Sequence, residues 1–306
     1  MDTYQNDNPH QLASAAVVVG VDGSEGSDLA VRWAAETAAR RERPLRIVHG
    51  LDITATRSLL GSYDVMVPSV IDAIRTRGMK VVADARRLAH EVAPSLDIAT
   101  EISETSAARV LIHHSKTANL VALGATGTAG TIAHLGSTLL AVASHGHGNV
   151  VVVRTAGTEQ PLRHDGPVVV GIDGSPVSET AIAAAFAEAS NRKTDLIAVH
   201  SWSDWHFGEF AGHLNVGLVG PDQETAEDAI LAERLAGWSE KYPDVTVTPE
   251  VCAPSPRDQL MSRSKSAQLI VVGSRGRGGF TGLLLGSTSN FLVQHAHCPV
   301  MVTHPA

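Results

Sequence analysis

Short apolar runs alternate along the chain with longer stretches that are apolar at every third or fourth position. Val17–Val21, Leu45–His49 and Leu120–Leu123 are too short for helices and predict strands buried on both faces. Between the first two runs, Leu29, Ala30, Trp33, Ala34, Thr37 and Ala38 form one stripe, which predicts a helix behind an N-cap at Ser24. Ile71, Ile74, Gly78, Val81, Ala85 and Leu88 recur at alternating threes and fours and predict a longer helix that ends near Pro94. Residues 51–68 read as a long irregular connection before it. Asp97–Ser103 alternates like a strand, Thr105–Ser115 and Gly136–Ser144 read as helices, and Val150–Arg154 reads as the last strand of this half.

The same plan then returns. Strands are expected near 168–172, 195–200, 245–251, 268–272 and 299–303, and helices near 176–190, 222–241, 256–265 and 286–296. Residue identities return with it. The run from Val17 to Ser24, V-V-V-G-V-D-G-S, reappears from Val168 to Ser175 as V-V-V-G-I-D-G-S. Val48-His49 reappears as Val199-His200, Gly136-Ser137-Thr138 as Gly286-Ser287-Thr288, and His145-x-His147 as His295-x-His297. A repeat of this length is a duplicated domain, because solenoid units run about 20–50 residues. The divisions are a loose arm at 1–16, a first domain at 17–155, a polar Gly- and Pro-containing linker at 156–166, and a second domain at 167–306. Strands separated by helices imply parallel pairing through right-handed crossovers. Each copy is therefore expected to be a doubly wound α/β domain with helices on both faces.

Composition narrows the function classes. A formal net charge of −8 argues against a general nucleic-acid backbone binder, which needs a basic face. Two cysteines, Cys252 and Cys298, make no disulfide framework and point to a reducing compartment. No apolar run approaches the roughly 18 residues of a membrane span. Residues 1–16 lack the basic start and apolar centre of a secretion signal. The expected location is cytoplasmic.

The candidate chemistry lies between the fourth strand and the last helix of copy two. Gly273 to Ser289 reads G-S-R-G-R-G-G-F-T-G-L-L-L-G-S-T-S. Glycines let backbone N–H groups approach a ligand, a helix start supplies unpaired donors, and Arg275 and Arg277 add positive charge, a combination suited to a polyphosphate. The loop is neither a P-loop nor a G-x-G-x-x-G turn. On doubly wound sheets ligands bind past the strands' carboxyl ends, where the strand order reverses. Asp22 and Asp173 stand just past strand one, and the glycine loops stand past strand four.

The spacing Gly273-x2-Gly276-x9-Gly286-Ser287, the V-G-x-D-G-S starts, the V-H at the end of strand two and the closing His-Cys-Pro-Val-Met-Val together resemble the ATP-binding universal stress proteins, twice over. The resemblance implies a five-stranded parallel sheet of order 3-2-1-4-5 in each copy. It also implies an ATP-binding regulatory role in stress or growth arrest, and dimers. In copy two it assigns Asp173 and Ser201 to the adenine end, Gly273 to the ribose, and Gly276, Gly286, Ser287 and Thr288, with Arg275 nearby, to the phosphates. In copy one the counterparts are Asp22, Gly50, Gly124, Gly127, Gly136, Ser137 and Thr138. Mg2+ is expected to arrive with the nucleotide. The final strands 150–154 and 299–303 are expected to form an internal pseudo-dimer, and the whole chain to dimerise again. Copy one departs from the pattern. Only eight residues separate Gly127 from Gly136, and Thr126 and Thr128 replace the two arginines, so the second site is expected to bind more tightly.

Other features have plainer readings. Asp22 and Asp173 fit turns before helices better than catalysis. Ser137 and Ser287 lie outside any G-x-S-x-G elbow. The His-x-His pairs fit helix ends better than a metal site, which needs three or four ligands. Trp202, Trp205, Phe207 and Phe210 crowd one loop that has no counterpart in copy one, and are read as a flap on their own domain. Two alternatives to nucleotide-dependent regulation stay open. One is a slow ATPase in which Asp173 positions water; the other is a nucleotide-free scaffold acting through the aromatic loop.

Overall fold

Val17, Val18 and Val19 are each almost fully buried, as a strand covered on both faces requires. They open β1 (Val17–Gly20) in the computed structural model, which describes residues 9–12, 14–54, 56, 67–125, 136–155, 161–201, 221–252, 255–276 and 285–305. The chain divides into two compact units between Arg154 and Thr155.

In the first unit β1 pairs in parallel with β2 (Leu45–Gly50) on one side and with β4 (Leu120–Gly124) on the other. Beyond them lie β3 (Ile98–Ser103) against β2 and β5 (Asn149–Val153) against β4. The order is β3-β2-β1-β4-β5, as expected. The chain moves one way through the first three strands and the other way through the last two. Right-handed crossovers therefore put α1 (Glu25–Arg40) and α2 (Val67–Val92) on one face, and α3 (Ala107–Ser115) and α4 (Ser137–His145) on the other. α1 packs on α2, and α3 on α4.

Local chemistry starts each helix. Ser24 caps α1 by accepting the Ser27 N–H at 3.1 Å, and Glu25 and Asp28 place negative charge in its first turn. Ala30, Val31, Trp33, Ala34 and Ala38 turn inward. In α2 the mid-helix Gly78 has a packing reason: a Cβ there would stand 2.6 Å from the Leu51 side chain.

The second unit repeats the plan with β6 (Val168–Ile172), β7 (Leu196–Ser201), β8 (Val247–Cys252), β9 (Leu269–Gly273) and β10 (Val300–Thr303). All pairings are parallel, in the order β8-β7-β6-β9-β10. The helices are α5 (Pro176–Arg192), α6 (Pro221–Leu235), α7 (Trp238–Lys241), α8 (Pro256–Arg263) and α9 (Ser287–His295). The single helix expected over 222–241 is broken. Gly237 adopts φ +78°, a left-handed conformation that ends α6. Trp238 and Tyr242 then stack on the buried Phe186 ring, at 5.4 and 5.7 Å between centroids. Among the described residues no helix is long and apolar enough to cross a membrane.

Candidate functional site

The repeated D-G-S segment makes the same kind of turn in both units. Asp22 Oδ1 accepts the Ser24 N–H at 3.0 Å and its hydroxyl at 2.6 Å; Asp173 Oδ1 accepts the Ser175 N–H at 2.9 Å. Gly23 and Gly174 take φ of +79° and +73° between them. Ser175 then accepts the Ser178 N–H at 3.3 Å, as Ser24 does from Ser27. Each aspartate thus shapes a turn with one oxygen and is held at the carboxyl end of the central strand.

The repeated strand-two histidine belongs to the same corner. His200 Nδ1 donates to the Ile172 carbonyl at 2.7 Å, and His49 Nδ1 donates to Val21 at the same distance. The ring ties the end of strand two to the end of strand one, just before the aspartate. Ser201 follows His200, 8% exposed, in register with Cys252 of β8.

At the other side of the second unit's switch point the loop after β9 is pinned at its mouth. The Ser274 N–H donates to Thr303 at 2.8 Å, the Gly286 N–H donates to the Ser274 carbonyl at 2.8 Å, and Ser289 Oγ donates to the Gly273 carbonyl at 2.6 Å. Gly276 comes against the turn after β6: a Cβ on it would stand 2.3 Å from Asp173 Oδ2. Asp173, Gly276 and Gly286 are thereby gathered at one end of the sheet. α9 starts at an N-cap, Gly286, with no side chain to accept its first amides. The Asn290 N–H returns to the Gly286 carbonyl at 2.9 Å, so the Ser287, Thr288 and Ser289 amides are the turn's outward donors. Ser287 and Arg275 are exposed, and Thr288 is half-buried.

The first unit builds α4 the same way on Gly136, with Ser137 exposed and Thr138 half-buried. Its two strand-end glycines, however, face the chain's own backbone. A Cβ on Gly50 would stand 2.3 Å from the Ala107 nitrogen, and one on Gly124 would stand 2.3 Å from the carbonyl of Gly26. Glycine at these positions lets α3 and α1 approach their strands. Gly127, Thr126, Thr128, Arg277 and the aromatic loop with Trp202 and Phe210 lie outside the described residues.

A cavity of about 320 Å³ opens beside Asp22 between α1 and α2, lined also by Ser27, Asp28, Arg77, Lys80 and Asp84. Burial pushes the Asp28 carboxyl up; the Arg32 guanidinium opposes this, and Asp84 and Asp22 add to it. Three carboxylates among those six residues make it a poor receptor for a triphosphate.

The second histidine of each His-x-His repeat is tied down through its backbone. The backbone N–H groups of His147 and His297 donate to Ser115 Oγ at 2.9 Å and Ser264 Oγ at 3.1 Å. Among the described residues no three His, Cys, Asp or Glu side chains gather as a metal site. Sequence reasoning missed both serines, although they recur 149 residues apart, close to the period of the other repeats. It also missed Ser289, whose place in the first unit is taken by the buried Leu139.

The profile of the universal stress protein family matches residues 15–154 and again 166–304. A universal stress protein of Mycolicibacterium smegmatis is 43% identical over 298 residues, covering 94% of this chain and 97% of its own. One from Mycobacterium tuberculosis is 41% identical over 292 residues, covering 94% and 96%. Among solved structures, a universal stress protein of Archaeoglobus fulgidus shares the fold at a TM-score of 0.70 and 16% identity, covering 96% of this chain and all of its own. Matched twice by the family model and by relatives over more than nine-tenths of its length, this chain belongs to the universal stress protein family as a tandem of two of its domains.

Proposed function

We propose that the protein is an ATP-binding regulatory protein, with its better site in the second unit between the carboxyl ends of β6 and β9. The observation that carries this reading is the meeting of Gly276 with Asp173 beside an α9 start whose cap has no side chain. Bare backbone donors at the positive end of a helix suit phosphate. Arg275 adds charge, and Mg2+ enters with the triphosphate, using phosphate oxygens and water for most of its shell. The adenine end falls toward Asp173 and Ser201. Asp173 is read as a positioning group of the binding site, since its Oδ1 holds the turn by accepting the Ser175 N–H.

The first test is mass spectrometry of small molecules that copurify with the full chain, followed by calorimetric titration with Mg-ATP. Adenine nucleotide at up to one equivalent, and a dissociation constant below millimolar, are expected. A protein that carries no nucleotide and shows neither heat nor a thermal shift with millimolar Mg-ATP overturns the reading in favour of a scaffold.

A further inference from the structure

Two side chains of the second unit meet beside the start of α9 and have no counterpart in the first. The guanidinium of Arg257, second residue of α8, lies over the Phe291 ring, with Cζ 4.1 Å from the ring centre. The two units can be aligned residue by residue here. Leu260 of α8 and Leu111 of α3 both press on the glycine of the central strand: a Cβ on Gly171 would stand 2.9 Å from Leu260, and one on Gly20 would stand 2.7 Å from Leu111. Ser264 and Ser115 both accept a backbone amide from the segment before the last strand. In that register Ala108 stands in the place of Arg257. α4 and α9 align from Ser137 and Ser287, which puts Ala141 in the place of Phe291. The fold therefore does not need the pair.

Its position follows from the topology. α8 and α9 each follow a strand of one parallel sheet, so both begin at the carboxyl edge. Phe291 is four residues beyond Ser287, about 6 Å along the helix axis. A helical side chain leans back toward the N-terminus, so this ring covers the turn that begins with Ser287 and Thr288. The guanidinium stacks on the ring that covers this turn.

A cation is out of place there. The first turns of α8 and α9 are both positive dipole ends, which favour negative groups. Asp258 supplies one to α8, but the first turn of α9 holds no acidic residue. Nor is any residue at 273–276 or 285–289 acidic, and Arg275 adds further positive charge. Arg257 adds to an excess of positive charge that an anion would balance. The sister unit has no such conflict, and proteins break local rules of this kind chiefly at functional sites.

We propose that Arg257, oriented by Phe291, binds the outer phosphates of the nucleotide in the second unit and makes that site discriminate by phosphate number. The inference rests on the nucleotide reading above. The planar fork of Arg257 suits a phosphate, and stacking on the ring removes much of the freedom that a bare arginine would lose on binding.

The test uses the full chain and its Arg257→Gln and Phe291→Leu variants, titrated with Mg-ATP and with AMP at low and moderate salt, alongside thermal melts. Arg257→Gln is expected to weaken Mg-ATP about tenfold, the size of one charged hydrogen bond, and AMP about twofold or less. The salt dependence of ATP binding should also become shallower. Phe291→Leu, which keeps apolar bulk but removes the ring, should lower the ATP-to-AMP preference in the same direction. If Arg257 merely staples α8 to α9, the melting temperature falls while the ATP-to-AMP ratio stays put, and that result overturns the proposal. Equal losses for both nucleotides overturn it too. Parent protein that binds neither nucleotide overturns the functional reading itself, and this inference with it.

Discussion

Gly276 and Asp173, far apart in sequence, touch in the second unit: a Cβ on the glycine would stand 2.3 Å from the Oδ2 of the aspartate. The other carboxylate oxygen holds the Ser175 N–H at 2.9 Å. Gly276→Ala therefore pushes the carboxylate off its turn while leaving the sheet alone. Mg-ATP affinity should drop about tenfold, on the scale of a single hydrogen bond to a charged group, with little change in melting temperature. Calorimetric titration of the full-length variant checks this; parent-like affinity would remove both residues from the site.

The glycines of the first unit should separate into two kinds. Gly124→Ala drives a methyl group into the Gly26 carbonyl and is expected to destabilise the first unit by about 1–3 kcal/mol through overpacking. Among the described residues nothing lies within 4 Å of a Cβ on Gly136, which has an ordinary φ of −56°. Gly136→Ala should therefore cost about 0.5 kcal/mol, the difference between the two residues at an N-cap. Urea unfolding of the two variants side by side measures the contrast.

Arg192 and Glu188 form a buried ion pair in α5, with Nε to Oε2 at 2.9 Å and side chains 5% and 1% exposed. Gln268 Oε1 accepts from Arg192 Nη1 at 3.0 Å. Glu188→Ala takes the balancing carboxylate from a guanidinium buried in the core and should cost about 3–5 kcal/mol. Replacing both members, as Glu188→Gln with Arg192→Met, should cost less than removing the carboxylate alone, because no charge is then left buried. Chemical denaturation of the single and double variants decides it.

Burial pushes the Cys252 thiol above its ordinary range, Glu250 adds to this, and Arg263 opposes it. Cys298 is buried. Native-state labelling with a thiol reagent at pH 8 should therefore report Cys252 and run slower than for a free thiol. Glu250→Gln removes a neighbouring negative charge and releases Arg263 from its ion pair, both of which favour the thiolate. Labelling should accelerate in that variant, and an unchanged or slower rate would contradict the assignment.

The strands, most helix starts and the duplication are legible in the sequence because each is written locally. Buried parallel strands need unbroken apolar runs such as Val168–Val170, and a capped helix needs a serine such as Ser24 or Ser175 just before it. The Asp-Gly-Ser turn follows from residues within two positions of one another. Where local signals conflict the reading slips: the apparent helix over 222–241 hides the left-handed Gly237, since a single glycine inside a helical pattern is ordinarily tolerated.

What the tertiary structure alone decides is which element each of these residues meets. Gly124, Gly50 and Gly276 are the same letter in the sequence, yet the first two lie against backbone and the third against a carboxylate. Ser115 and Ser264 become anchors for distant amides, and Arg257 finds Phe291 across two helices. Periodicity records how a segment divides itself between core and water. The partner on the far side of a contact is set by crossovers that bring together residues a hundred positions apart, and no local pattern carries that distance.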